Sequence, residues 1–276
     1  MDPGIAADGR AVQDAPHDSS HDAVSDAAVV PTDAWFVSSV VGFADITLSD
    51  ATDIDRLTIT ALVGLGTQQD NACAAPPIAG CCVISTIDQT VVPTTIGTIE
   101  IVDENAPLAT LVPEGSPIYY PTYTSTSGPY WTTGDSLRVS APGEVLSAFF
   151  GNAFVAPGPV TGLVPAIPLG APTTNQSVTQ DLAITWTPDT KSTDFTIVLS
   201  SGFGTNNIQC LEPEAQGSLV IDHSLFDQVG LLANRTGSIT AINGTTYVLG
   251  SATSGSLVTI SVRSEIGGTA TLNFVP

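Results

Sequence analysis

Apolar and polar residues alternate along most of this chain with a period of two, the pattern of strands that bury one face and wet the other. Arg56–Val63 reads Arg-Leu-Thr-Ile-Thr-Ala-Leu-Val, and Leu182–Trp186 and Phe195–Leu199 alternate in the same way. Runs at Trp35–Val37, Cys82–Ile84, Ile96–Val102, Leu108–Val112, Ile118–Thr124, Leu137–Val139 and Val145–Phe150 predict further strands in the first half. Ile208–Cys210, Ser218–Ile221, Ser238–Ile242, Thr246–Leu249, Val258–Val262 and Thr271–Val275 predict those of the second. Turn formers separate them, among them Pro76-Pro77, Glu114-Gly115, Gly134-Asp135 and Pro142-Gly143. Asn243-Gly244 is the strongest hairpin signal, because both residues tolerate positive φ. Asp222–Leu232 alone predicts a short helix, capped by Asp222 or Ser224 and ended by Gly230. The expected fold class is all-β.

The alternation is missing from residues 1–33, where Asp2, Asp8, Asp14, Asp18, Asp22, Asp26 and Asp33 punctuate Ala, Ser, Gly and Pro. Such a segment buries too little apolar surface to offset the entropy of ordering, so a disordered acidic spacer is expected. Four of these acids recur every fourth residue around His17 and His21, which suggests a metal-binding arm. Like charges at that spacing oppose the helix such an arm needs, which favours the spacer. A Pro/Gly-rich stretch at 157–172 reads as a connector. It divides the body into an N-terminal β-domain, 34–156, and a C-terminal β-sandwich, 173–276.

With its regularly spaced short strands and Trp186 on an early one, the segment 173–276 resembles immunoglobulin- and fibronectin-III-type domains. It departs from the immunoglobulin pattern in having Cys210 alone, without a partner for an intersheet bridge. The tail is similar to the Asp/Ala-rich spacers that follow the lipid-bearing cysteine of bacterial surface lipoproteins. That likeness implies a secreted or outer-surface protein, anchored through a residue upstream of this sequence.

Composition narrows function by exclusion. Six basic residues against 27 acidic ones give a net charge of -21, so nothing is available to neutralise the phosphates of a nucleic acid or an anionic membrane. No apolar run approaches the ~18 residues of a spanning helix. Cys73, Cys81, Cys82 and Cys210 form an even set, as in a disulfide framework. A bridge between adjacent Cys81 and Cys82 would be strained, so Cys73 is expected to pair with one of them and Cys210 with the other. Zinc is disfavoured, since no CxxC spacing occurs.

Candidate chemistry is sparse. His223 is the sole histidine after the tail, and its neighbours Asp222 and Ser224 project in other directions, so the three make no catalytic relay. The sequence contains no nucleophile elbow and no phosphate-binding glycine loop. Glu100, Asp103 and Glu104, or Glu212 and Glu214, are the acids a carboxylate-dependent hydrolase would use, although solvated turns explain them equally. Asp50, Asp53 and Asp55 lie within six residues and are a candidate calcium loop. Tyr119, Tyr123, Tyr130 and Trp131 are a candidate stacking platform for a sugar or a protein partner. The competing reading puts Trp131 in the core. The expected function is non-enzymatic, by binding or assembly. Its alternatives are a carbohydrate-binding module or adhesin, a filament or surface-layer subunit, and a secreted carboxylate-dependent hydrolase.

Overall fold

The computed structural model describes residues 28–29, 42–51, 56–65, 73, 77–85, 92–104, 106–113, 118–119, 122–124, 130–146, 148–166, 174–201, 206–251, 256–266 and 271–276. In chain order its strands are β1 (Ala28–Val29), β2 (Gly42–Ala51), β3 (Arg56–Leu65), β4 (Cys81–Ser85), β5 (Val92–Pro93), β6 (Ile99–Asp103), β7 (Ala106–Leu111), β8 (Ile118–Tyr119), β9 (Thr122–Thr124) and β10 (Ser136–Ala141). There follow β11 (Phe149–Val155), β12 (Thr161–Val164), β13 (Thr174–Ser177), β14 (Leu182–Thr187), β15 (Asp194–Ser201), β16 (Asn206–Pro213), β17 (Ser218–Ile221), β18 (Arg235–Ser251), β19 (Ser256–Ile266) and β20 (Thr271–Val275). Period-two alternation drives them. Leu182, Ile184 and Trp186 of β14 face inward while Ala183, Thr185 and Thr187 face water. Each fully buried aliphatic or aromatic side chain contributes roughly 1.5–3 kcal/mol toward offsetting chain entropy.

One large sheet runs in the order β4-β16-β15-β18-β19-β2-β3-β5 and is covered by two smaller ones. The four-stranded sheet β11-β10-β6-β7 encloses a first core with β2, β3, β19 and the C-terminal half of β18, where Leu48, Ile59, Ile101, Leu137, Phe154 and Ile260 meet. The three-stranded sheet β12-β14-β17 encloses a second core with β4, β15, β16, β20 and the N-terminal half of β18, where Trp186 stacks on Phe195 with ring centroids 3.7 Å apart. The protein is thus all-β, a pair of sandwiches that share strands.

Each sandwich draws strands from both halves of the chain. β19, near the C-terminus, pairs in parallel with β2 and lines the first core. β4, from the first half, pairs with β16 and lines the second. The stretch expected to be a connector contains β12, which pairs with β14. Within the expected tail, Ala28 and Val29 pair with Val248 and Tyr247; the rest of residues 1–33, and Trp35–Val37, lie outside the described residues.

Asn243-Gly244, expected to form a hairpin turn, instead lies within strand β18. β18 runs through both residues without a break, pairing with β15 over Ser201–Asp194 and with β19 from Ala241 to Ser251. Ile239 and Ala241 enter the second core and Tyr247 and Leu249 the first, while buried Asn243 and Thr245 fall between them on the same face. Asn243 Nδ2 donates to the Gly158 carbonyl at 3.2 Å, and the Thr193 N–H donates to Thr245 Oγ1 at 3.2 Å. Asn243 therefore serves as a polar stitch at the seam of the two cores. Gly244 permits close packing there, since a Cβ would sit 3.2 Å from the Val262 carbonyl. The helix expected over Asp222–Leu232 is two successive 3-10 turns, capped by Asp222 and ended by Gly230 in the left-handed region.

Candidate functional site

The register of the four-stranded sheet gathers exposed apolar residues at one end. There Ala141 of β10 opposes Phe149 of β11, and Ile99 of β6 opposes Leu111 of β7. A bulge in β11 between its pairings with Ala141 and Val139 lets Phe149 and Phe154, five positions apart, both face the core. Phe150 is consequently turned outward and is 71% exposed. Val112, just beyond Leu111, is 59% exposed, and Val145, in the turn before β11, is 61% exposed. The Val145 N–H donates to the Thr95 carbonyl, which ties that turn to the segment leading into β6. Phe150, Val145 and Val112 thus lie at the same end of the first sandwich, Phe150 on one edge strand of its smaller sheet and Val112 just beyond the other.

A second constellation lies on the other sandwich. β14 and β17 pair through Leu182 and Ile221, which places Asp181, just before β14, beside Asp222, just after β17. Asp181 Oδ1 accepts the backbone N–H of His223 at 3.0 Å and lies 2.7 Å from its ring Nδ1. The same Nδ1 is 3.9 Å from Asp222 Oδ1, which also accepts the Ser224 N–H at 2.8 Å. Both carboxyls are held below the ordinary aspartate range, Asp181 by its hydrogen bonds from His223 and Asp222 by those from Ser224. One donor atom from each of the three side chains lies within 4.8 Å of the others, the only such His/Cys/Asp/Glu group among the described residues.

At the opposite end of β14 the acids behave differently. Glu214 is buried, with its Oε1 accepting the Asp189 N–H at 2.6 Å and its carbonyl accepting Trp186 Nε1 at 3.0 Å. Its Oε2 has no hydrogen-bond partner among the described residues. Burial pushes the carboxyl up to about 7, and the charges of Asp189 and Asp194 add to that push. Asp189 in turn holds the Gly158 N–H at 2.7 Å, so this network reaches the seam stitched by Asn243. Glu212, close by in sequence, is raised by burial alone.

Trp131 is buried in the first core and presents no face for stacking; its size and apolar ring are worth more there than in water. Tyr130 packs half-buried against that core and its N–H donates to Asp50 Oδ2 at 3.3 Å. Tyr119 and Tyr123 sit opposite Ala61 and Leu57 on the short strands β8 and β9. Asp50 lies in β2, wholly buried and facing Leu57 and Ser264 across the sheet, so it belongs to a strand and not to a loop. Asp53 and Asp55 fall outside the described residues. Cys73 bonds Cys82 and Cys81 bonds Cys210, the second bridge spanning β4 and β16. Asp181 was missed by sequence reasoning, for only the β14–β17 pairing brings it to His223 across 42 positions.

Fold and disulfides together define an all-β protein of two sandwiches with shared strands, stapled within its second core. No protein-family model matches the chain, and no curated protein matches it either. Among solved structures it is similar to the fibronectin(III)-like modules of CbhA from Clostridium thermocellum, at 13% identity over 87% of this chain and 94% of that one. The TM-score of that match is 0.20, which leaves the fold resting on the strand pairing described above.

Proposed function

We propose that this protein works outside the cytosol, secreted or displayed at the cell surface, by binding or assembly and not by catalysis. The observation that carries the reading is the apolar end of the first sandwich, where Phe150, Val145 and Val112 stand in water on a chain otherwise rich in acids. Large exposed apolar residues at one end of a domain point to an interaction surface, and an exposed aromatic such as Phe150 is a usual anchor. The compartment is supported by the two disulfides, which persist where the surroundings are oxidising. The acidic N-terminal residues fit a spacer that holds the body away from its anchor. A sugar platform made of Tyr119, Tyr123, Tyr130 and Trp131 is the weaker reading, because Trp131 is committed to the core.

Wild type and Phe150→Asp are compared by sedimentation over a wide concentration range, and by cross-linking on the surface of source cells. The expected result is that wild type self-associates or captures a neighbour through this end and the variant does not. Identical sedimentation and identical cross-linked neighbours for the two proteins would remove the apolar end as a docking surface.

A further inference from the structure

We propose that Asp181, Asp222 and His223 form a surface site for one divalent cation of the zinc class. The ligand chemistry is that of a borderline metal, with one imidazole nitrogen and two carboxylates. Hard calcium and magnesium ions prefer all-oxygen sets and gain little from His223. Geometry fits without rebuilding. Ligands about 2.05 Å from a tetrahedral zinc stand about 3.3 Å apart, and the two separations seen here, 2.7 Å from Nδ1 to Asp181 and 3.9 Å to Asp222, bracket that value. Small rotations of side chains that are roughly half exposed close the difference.

The site is also framed. The Leu182–Ile221 pairing fixes the separation of Asp181 and Asp222, and the backbone N–H of His223 anchors Asp181 Oδ1. The Ser224 N–H anchors Asp222. A net charge of -21 favours a cation electrostatically, and the ion would take the place of the Nδ1–Asp181 hydrogen bond. Three protein ligands leave the remaining positions to water or to a group on another molecule.

The test uses the full chain carrying His17→Gln and His21→Gln, which leaves His223 as its single histidine and removes competing imidazoles. Zinc is titrated calorimetrically while the His223 ring resonances are followed by NMR. The expected result is one zinc per chain, a shifted His223 ring, and affinity at least tenfold weaker in His223→Gln and in Asp181→Asn. Calcium at equal concentration should leave the ring unmoved. If zinc does not shift the ring, or if both variants bind as the parent does, the trio is a hydrogen-bonded clasp and the proposal fails. Circular dichroism of each variant confirms that the fold is retained, and Asp222→Asn supplies a third arm should either of the others unfold.

Discussion

Glu214→Gln isolates the contribution of one buried carboxyl. Glutamine keeps the acceptor for the Asp189 N–H and matches the protonated acid in shape. In the folded chain the carboxyl titrates at about 7, against 4.5 for an ordinary glutamate. Folded protein therefore binds more protons than unfolded protein between those values. The resulting stability is fully present below the unfolded value and is lost as pH rises through the folded one. Two-state linkage places the loss at roughly 2–3 kcal/mol between pH 5 and pH 8. For a chain of this size that corresponds to roughly 5–10 °C in Tm. Asp103 and Asp194 are raised by burial as well and act in the same direction, so the informative quantity is the difference between wild type and variant. Urea unfolding of both proteins at pH 5 and pH 8 measures it. The advantage of the variant over wild type should grow by roughly 2–3 kcal/mol from pH 5 to pH 8. Parallel pH dependences in the two proteins would show that Glu214 ionises normally and that its burial is relieved by water or motion.

Two further expectations concern the cores. Replacing Cys81 and Cys210 by serine frees a loop of 129 residues, and loop entropy puts the loss near 5 kcal/mol, read as a lower urea midpoint; an unchanged midpoint would mean the bridge constrains nothing in the unfolded chain. Trp131→Ala should cost about 3–5 kcal/mol in thermal unfolding as expected for a buried aromatic, whereas a residue of a solvated stacking platform would cost well under 1 kcal/mol.

Much of the strand content was legible, because alternation is a local property. Ser218–Ile221 and Thr271–Val275 coincide with β17 and β20. Errors arose where tertiary contacts override local chemistry. Ile96–Val102 shortens to a strand starting at Ile99, since Gly97 adopts a φ of 81° where Pro142 packs against it. Asn243-Gly244 carries a turn signal, but the seam of two cores supplies Asn243 with a partner that no local reading contains. The Asp181–Asp222–His223 trio was not legible as a site. Asp222 and His223 are adjacent, but Asp181 joins them through a strand register that sequence spacing does not encode. The cysteine pairing was narrowed to two choices, and the antiparallel pairing of Cys81 with Cys210 selects between them.

Because β18 enters both cores and β4 and β19 each cross into the sandwich formed mainly by the other half of the chain, no single cut yields two complete modules. A break at 157–172 would leave one fragment without β18 and β19 and the other without β4. As a unit of inheritance the body is indivisible. Any duplication or transfer that preserves this strand sharing has to carry the span from β2 to β20.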